Sequence, residues 1–181
     1  MNTASDYFAI FSLPQGWEID ANQLEIRFRR LQQQFHPDRF ATNSEIEKRR
    51  AMEMAATINR AHQTLKDPLA RAQYLLELEG CDINQDSQIT SDGQFLMAQM
   101  MQRERLAEIK ETDSGDPDKS LKALQSLSHE AQQDYLSLQQ QFAQHYQGAD
   151  YSQALDTLAK MQFAAKFAAE IIEFKNLLED L

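Results

Sequence analysis

Leu24, Phe28, Leu31 and Phe35 recur at i, i+4, i+7 and i+11, and Met54, Ile58, Ala61 and Leu65 repeat that spacing further along the chain. A stripe of this period lies along one face of an α-helix, so each segment predicts an amphipathic helix with one buried side. Two such helices joined by a short connection cover each other's stripes as an antiparallel hairpin, and the connection then projects from one end. Pro37 disfavours helical backbone at His36, which ends the first of the pair near Phe35. Asp20 is its expected cap, and Ser44 caps the partner helix, predicted from Glu45 to Lys66. A short helix over Asp6 to Phe11, capped by Ser5 or Asp6, precedes them and is closed by Leu13-Pro14-Gln15-Gly16. Asp67-Pro68 ends the long helix and opens another, in which Leu69, Ala72, Leu75 and Leu76 are apolar.

The pattern fails between Gly80 and Gly93, where GCDINQDSQITSDG is polar and has no stripe. This predicts a first domain over 1–80, a linker over 81–93 and a second domain over 94–181. Only 5 Gly and 4 Pro occur in 181 residues, so helices can run long. The second domain offers three. The first spans about Gln94 to Glu111 and ends at Asp113-Ser114-Gly115-Asp116-Pro117. The next carries Leu121, Leu124, Ser128, Ala131, Tyr135, Leu138 and Phe142 at alternating steps of three and four, a heptad-like seam, and stops at Gln147-Gly148. The last runs from about Tyr151 to Leu178. It has Leu158, Met161, Ala165, Ala168 and Ile172 on one side, and Phe163, Phe167 and Phe174 on the other. The fold class is all-α, a helical hairpin followed by an antiparallel three-helix bundle.

Charge and cysteine content exclude several functions. Residues 1–80 carry 10 Lys+Arg against 11 Asp+Glu, whereas residues 81–181 carry 8 against 17. An acidic second domain is a poor ligand for nucleic-acid phosphates. The single cysteine, Cys81, permits no internal disulfide and no Cys-x-x-Cys clamp, and reads as a half-buried apolar residue. The N-terminal MNTASDYFAIF has no basic region followed by an apolar run, and no stretch nears the ~18 apolar residues of a membrane span. A cytoplasmic, membrane-free protein is expected. A metal-dependent helical hydrolase would need a His/Asp/Glu cluster on facing helices. His36, His62, His129 and His145 are too scattered to supply one, so no metal or other cofactor is expected.

Two places can carry function. At the hairpin tip, His36-Pro37-Asp38 sets an imidazole near a carboxylate. Pro37 should stiffen the loop and splay the two side chains, and no Ser or Cys nucleophile stands in a motif nearby. A recognition tip or a plain loop fits better than a catalytic dyad. Arg27, Arg29 and Arg30 lie just before it, off the apolar stripe, either as a solvated face or as a docking stripe for an acidic partner. The second place is the helix from Gln94. Its wheel puts Phe95, Ala98, Leu106 and Ile109 on one side, with Leu96, Met97, Met100, Met101, Glu104 and Glu108 roughly opposite. Such a helix is either central or partner-contacting, and Leu96, Met100, Arg103 and Ala107 also fit a core spacing. Flexible, polarizable Met side chains suit an adaptable contact.

The basic second helix, the His36-Pro37-Asp38 loop, the run Ile58-Asn59-Arg60-Ala61-His62-Gln63-Thr64-Leu65 and the opening Asp6-Tyr7-Phe8-Ala9-Ile10-Phe11-Ser12-Leu13 together resemble a J-domain. The continuation Lys66-Asp67-Pro68-Leu69-Ala70-Arg71-Ala72-Gln73-Tyr74-Leu75-Leu76 leads to Phe95-Leu96-Met97 and an acidic bundle. Through it, nearly the whole chain resembles the HscB family of J-type co-chaperones of iron–sulfur cluster assembly. The cysteine-rich N-terminal extension of eukaryotic relatives is missing, which favours the bacterial type. The resemblance implies a non-enzymatic protein, expected to be monomeric, that stimulates the ATPase of a specialised DnaK-type (HscA-like) chaperone. His36, Pro37 and Asp38 would touch that partner, and Arg27, Arg29 and Arg30 would steer it. Leu96, Met97, Met100, Glu104, Glu108 and Phe163 would hold the scaffold protein on which clusters are built. Met101 departs from the pattern, which tends to have an acidic residue there, and a J-protein serving another client is the alternative.

Overall fold

In a computed structural model the backbone is described for residues 6–40, 42–83, 90–112 and 117–179, so Ser5 as a cap and the turn Asp113-Ser114-Gly115-Asp116 lie outside the described residues. The elements are α1 (Tyr7–Ile10), α2 (Ala21–Gln34), a 3-10 turn (Pro37–Phe40), α3 (Glu45–Lys66), α4 (Pro68–Leu78), α5 (Gly93–Thr112), α6 (Pro117–Gln147) and α7 (Tyr151–Glu179). No strand occurs among the described residues. No helix among them is long and apolar enough to cross a membrane. The chain forms two compact units, Met1–Glu79 and Gly80–Leu181.

Caps fix the helix starts of the first unit. The Asp6, Asp20 and Asp67 side chains accept from the amides of Phe8, Gln23 and Ala70. Ser44 and Glu47 form a reciprocal capping box, which satisfies two orphan donors at the start of α3. α2 and α3 run antiparallel: Glu25 meets His62 (Oε2 to Nε2, 3.2 Å) and Gln32 Nε2 donates to Asn59 Oδ1 at 3.2 Å. The His62 ring, buried, stacks on Phe28 with centroids 3.8 Å apart. α1 closes the end of this hairpin. Phe8 and Phe11 are buried, and Tyr7 stacks on Tyr74 of α4 at 4.5 Å. Arg71 of α4 lies 4.6 Å above the buried Trp17 ring and donates to the Leu65 carbonyl at 2.8 Å.

Both hairpin stripes differ in detail from the sequence pattern. In α2 only Leu24 is buried, and Phe28, Leu31 and Phe35 are half-buried. In α3 Met54 is 41% exposed, and Ala51 takes the inward position above Ile58, Ala61 and Leu65. The hairpin closes with one small residue at that level, so the larger thioether is turned out.

In the second unit the pairings give the directions. Gln102 donates to Asp134 and Arg105 to Glu130, so α5 and α6 are antiparallel. Phe95 meets Phe163, Arg103 meets Glu170 and Lys110 lies over Phe174, so α5 and α7 are parallel. The core gathers Leu106, Leu124, Leu127, Ala131, Phe167 and Ile171. Further along, Leu138, Phe142, Ala154, Leu158 and Met161 continue it between α6 and α7. Ile172 is 57% exposed and Ile171 is buried instead, since α7 touches two helices and its inward sector spans both apolar stripes. At the α6–α7 turn it is Ala149, not Gly148, that takes the left-handed conformation (φ 55°), and Asp150 then caps α7.

The start of α5 is pinned rather than loose. Gly93 is helical, and Asp92 Oδ1 accepts from the amides of Gln94 (3.0 Å) and Phe95 (3.1 Å). Asp92 Oδ2 holds the half-buried Lys160 at 2.8 Å, Lys160 also reaches Asp156 at 2.9 Å, and Thr90 donates to Asp156 at 2.7 Å. Residues 90–92, which the sequence leaves in the connecting stretch, are thus tied to α7.

Lys160, and after it the Phe95 amide, hold the Asp92 carboxyl below its ordinary range. A carboxylate whose folded pKa is depressed contributes stability above its unfolded pKa and loses it as pH falls through the folded value. Asp92→Asn keeps a good cap and removes only the charge. Amide-exchange protection at Gln94 and Phe95 should be lower in Asp92→Asn than in the parent at neutral pH. The gap should close as pH drops below the ordinary Asp value of 3.8. A gap unchanged by acid would show that the ion pair does not hold the turn.

Candidate functional site

Two surfaces carry the motifs, one in each unit. At the hairpin tip the 3-10 turn is stitched by Arg39 N to His36 O and Asn43 N to Phe40 O, each at 3.0 Å. His36 and Asp38 are open to solvent, with 58% and 89% of their side-chain surface exposed. The side chains are not splayed. Asp38 Oδ2 lies 3.6 Å from His36 Nδ1, and the Asp38 amide donates to that nitrogen at 3.3 Å. The 3-10 turn carries Asp38 back toward the imidazole and so brings the two groups together. The Asp38 amide and carboxylate thus both approach Nδ1 of the exposed imidazole.

Beside the tip a groove of about 750 Å³ runs between α2 and α3, walled by Arg29, Gln33, Phe35, Arg39, Ala55 and Asn59 among others. No motif in the sequence marked it, since it arises only when the two helices are laid side by side.

The three arginines separate into different roles. Arg27 is half-buried and donates to the Phe11 (2.7 Å) and Ser12 (2.5 Å) carbonyls at the end of α1. Ser12 sits there with φ 50°, and the guanidinium satisfies carbonyls that the ending helix leaves open. Arg27 is therefore a clamp between α1 and α2, which corrects its place in an outward-facing stripe. Arg29 is exposed and paired at 3.0 Å with Glu25. That pairing is the main reason the Glu25 carboxyl lies below its usual range, with His62 adding to it against some desolvation. Arg30 is exposed and pairs with no described carboxylate.

On the bundle, α5 turns Phe95, Gln99, Leu106 and Ile109 inward or partly inward. Gln99, not Ala98, occupies the inner position: Ala98 is exposed, and Gln99 donates to Gln102 at 3.0 Å. The opposite face is open, with Met97, Met100 and Met101 exposed by 64%, 63% and 61%. Glu104 and Glu108 are exposed in line with them, and Leu96 is half-buried at the edge. The alternative core spacing through Leu96, Met100, Arg103 and Ala107 is excluded, because the last three are exposed. Phe163 of α7 is half-buried and meets Phe95 edge-on with centroids 6.3 Å apart. This places an aromatic of α7 against the first turn of α5.

The electrostatics follow from where the α5 cations go. Arg103 reaches Glu170 (3.5 Å), Arg105 takes Glu130 in a two-pronged pair (2.5 and 3.1 Å), and Lys110 lies over Phe174. Every cation of α5 is thus engaged by a neighbouring helix. Glu104 and Glu108 stand exposed on α5 along the methionine face, an apolar centre with carboxylates at its border. Among the described residues no group of three His, Cys, Asp or Glu side chains could hold a metal ion.

Comparison with known proteins gives two family matches: residues 6–74 match the DnaJ domain, and residues 91–172 match the HSCB C-terminal oligomerisation domain. Over 173 residues the chain is 41% identical to a co-chaperone protein HscB homolog of Aeromonas hydrophila, covering 96% of this chain and 98% of that protein. It is 43% identical over 174 residues to the corresponding homolog of Vibrio cholerae, with the same coverage of 96% and 98%. The solved chaperone HscB from Vibrio cholerae superposes with a TM-score of 0.83 at 38% identity, covering 96% of this chain and 99% of that one.

The split among the arginines is open to test. Arg27→Gln should destabilise the first unit by about 1–3 kcal/mol, since it removes charge-assisted bonds to two carbonyls. Arg30→Gln should stay within about 0.5 kcal/mol of the parent, as expected for an exposed site. Melting followed by fluorescence of the single buried Trp17 reports this unit, and equal effects would contradict the assignment.

Proposed function

The chain belongs to the HscB family of J-domain co-chaperones, and on that premise we propose that it binds the iron–sulfur scaffold protein and delivers it to a specialised DnaK-type chaperone, stimulating that partner's ATPase. The first unit serves the ATPase. His36, Pro37 and Asp38 dock on it, Arg29 and Arg30 draw in its acidic surface, and ATP is bound and cleaved by the partner. The second unit serves the client: Leu96, Met97, Met100 and Phe163 supply apolar contact, and Glu104 and Glu108 meet cationic groups on the scaffold. Domains at 1–80 and 94–181 correspond to these two tasks.

One observation carries the client-binding half. A helix with every cation engaged by its neighbours still leaves three methionines more than 60% exposed in a row with two carboxylates. Large exposed apolar side chains clustered on one face mark contact sites, and fully desolvated apolar residues dominate such interfaces. The acidic border selects a client with a basic rim and disfavours an acidic one.

The two surfaces should be separable by mutation. His36→Gln, at an exposed tip, should abolish ATPase stimulation while leaving melting nearly unchanged. Met97→Ala with Phe163→Ala should weaken scaffold binding, as each truncation removes roughly 1–3 kcal/mol at an interface centre. That double variant should still stimulate the ATPase when scaffold is absent. Titration calorimetry with the scaffold and a steady-state ATPase assay read the two arms. Capture of an unrelated client in place of the scaffold would redirect the second.

A further inference from the structure

We propose that Met97, Met100 and Met101 form an oxidation-sensitive site, at which a hydroperoxide converts the thioethers to sulfoxides and releases the client. The inference rests on the client-binding role assigned to this face. Three of the seven methionines of the chain stand within five residues here. They are exposed by 64%, 63% and 61%, whereas Met161 in the bundle core is 0% exposed. A thioether has no proton to lose, so its oxidation is set by access to the sulfur and not by a pKa. The exposed sulfurs are open to a small oxidant, and Met161 is shielded.

In the reaction a sulfur lone pair attacks one peroxide oxygen and the O–O bond breaks. The departing oxygen takes up the proton of the transferred hydroxyl and leaves as water or an alcohol. Sulfur loses two electrons and the peroxide gains them. A dithiol reductase reverses the step, giving two electrons, releasing the oxygen as water and ending as a disulfide.

The consequence follows from the surroundings. A sulfoxide is polar and accepts hydrogen bonds, and burying it without a donor is unfavourable. The carboxylates beside it, Glu104 and Glu108, are acceptors only at neutral pH. The cations that α5 carries, Arg103, Arg105 and Lys110, are turned to Glu170, Glu130 and Phe174. Oxidation thus puts polar acceptors beside carboxylates that cannot donate to them, and a partner that docks there loses apolar contact at three neighbouring positions. Met52 and Met54 on α3, 58% and 41% exposed, provide exposed methionines outside the face.

The test treats the full-length protein with hydrogen peroxide, maps sulfoxides by mass spectrometry, and measures affinity for the iron–sulfur scaffold protein before treatment, after it, and after methionine sulfoxide reductase. Oxidation should reach Met97, Met100 and Met101 well before Met161. It should weaken binding at least about tenfold, or about 1.4 kcal/mol, and the reductase should restore it. In Met97→Leu/Met100→Leu/Met101→Leu, whatever its starting affinity, peroxide should leave that affinity where it was. Met52→Leu/Met54→Leu should lose affinity on oxidation as the parent does. Full conversion at the three positions with unchanged affinity would overturn the proposal, as would an equal loss in the triple-leucine variant. Failure of the untreated protein to bind the scaffold would overturn the function on which the proposal rests, and the proposal with it.

Discussion

The rotation of α5 about its own axis is the constraint on which the second unit depends, and polar contacts set it. The helix has apolar residues on two sides, so hydrophobic burial alone does not choose which side faces in. The choice is made at the first turn by Asp92 gripping Lys160, and further along by Gln102 on Asp134, Arg103 on Glu170 and Arg105 on Glu130. The helix also buries Gln99, whose Oε1 has no hydrogen-bond partner, a cost that a purely apolar seam would avoid. Once the helix is turned this way, Met97, Met100 and Met101 must face solvent. The exposed methionines are thus a consequence of how the bundle is wired, and a sequence with a stronger inner stripe would hold α5 more tightly without needing that wiring.

The first unit shows the same economy of charged groups. Glu25 lies between Arg29 and His62, and so links an exposed guanidinium to the buried ring stack that closes the hairpin. Arg27 ties α1 to α2 through backbone carbonyls. Of three arginines within four residues, one holds α1 to α2, one is paired with Glu25, and one is exposed. At the tip a 3-10 turn begins at Pro37, and the Asp38 amide and carboxylate both approach the same imidazole nitrogen.

Much of this architecture is legible in the sequence because caps and breakers are local signals. Asp20, Ser44 and Asp67 place helix starts within a residue, and Pro37, Pro68 and Gly148 place the ends. The open face of α5 is only half legible: carboxylates at 104 and 108 argue against burial, but Leu96, Met100, Arg103 and Ala107 also fit a core spacing. Other features depend on partners distant in the chain. Arg27 looks like its neighbours until α1 is folded against it. Met54 and Ala51 compete for one inward position, and helix spacing alone favours the larger side chain. Lys160 and Asp92 are unremarkable in composition, and only the packing of α5 along α7 brings them together. The turn residue Ala149 carries no glycine signal, and its left-handed conformation is imposed by the helices on either side.

The central claim is that two surfaces on one molecule are joined so that the client is brought to the ATPase by a physical tether, raising its effective concentration there. The most direct measurement mixes Asp38→Asn, which lacks the docking tip, with Met97→Ala/Phe163→Ala, which lacks the client face, and follows transfer of the scaffold to the chaperone. The account predicts that the mixture delivers scaffold no better than either variant alone, although each retains its own single activity. Delivery by the mixture at the rate of the unaltered protein would contradict it.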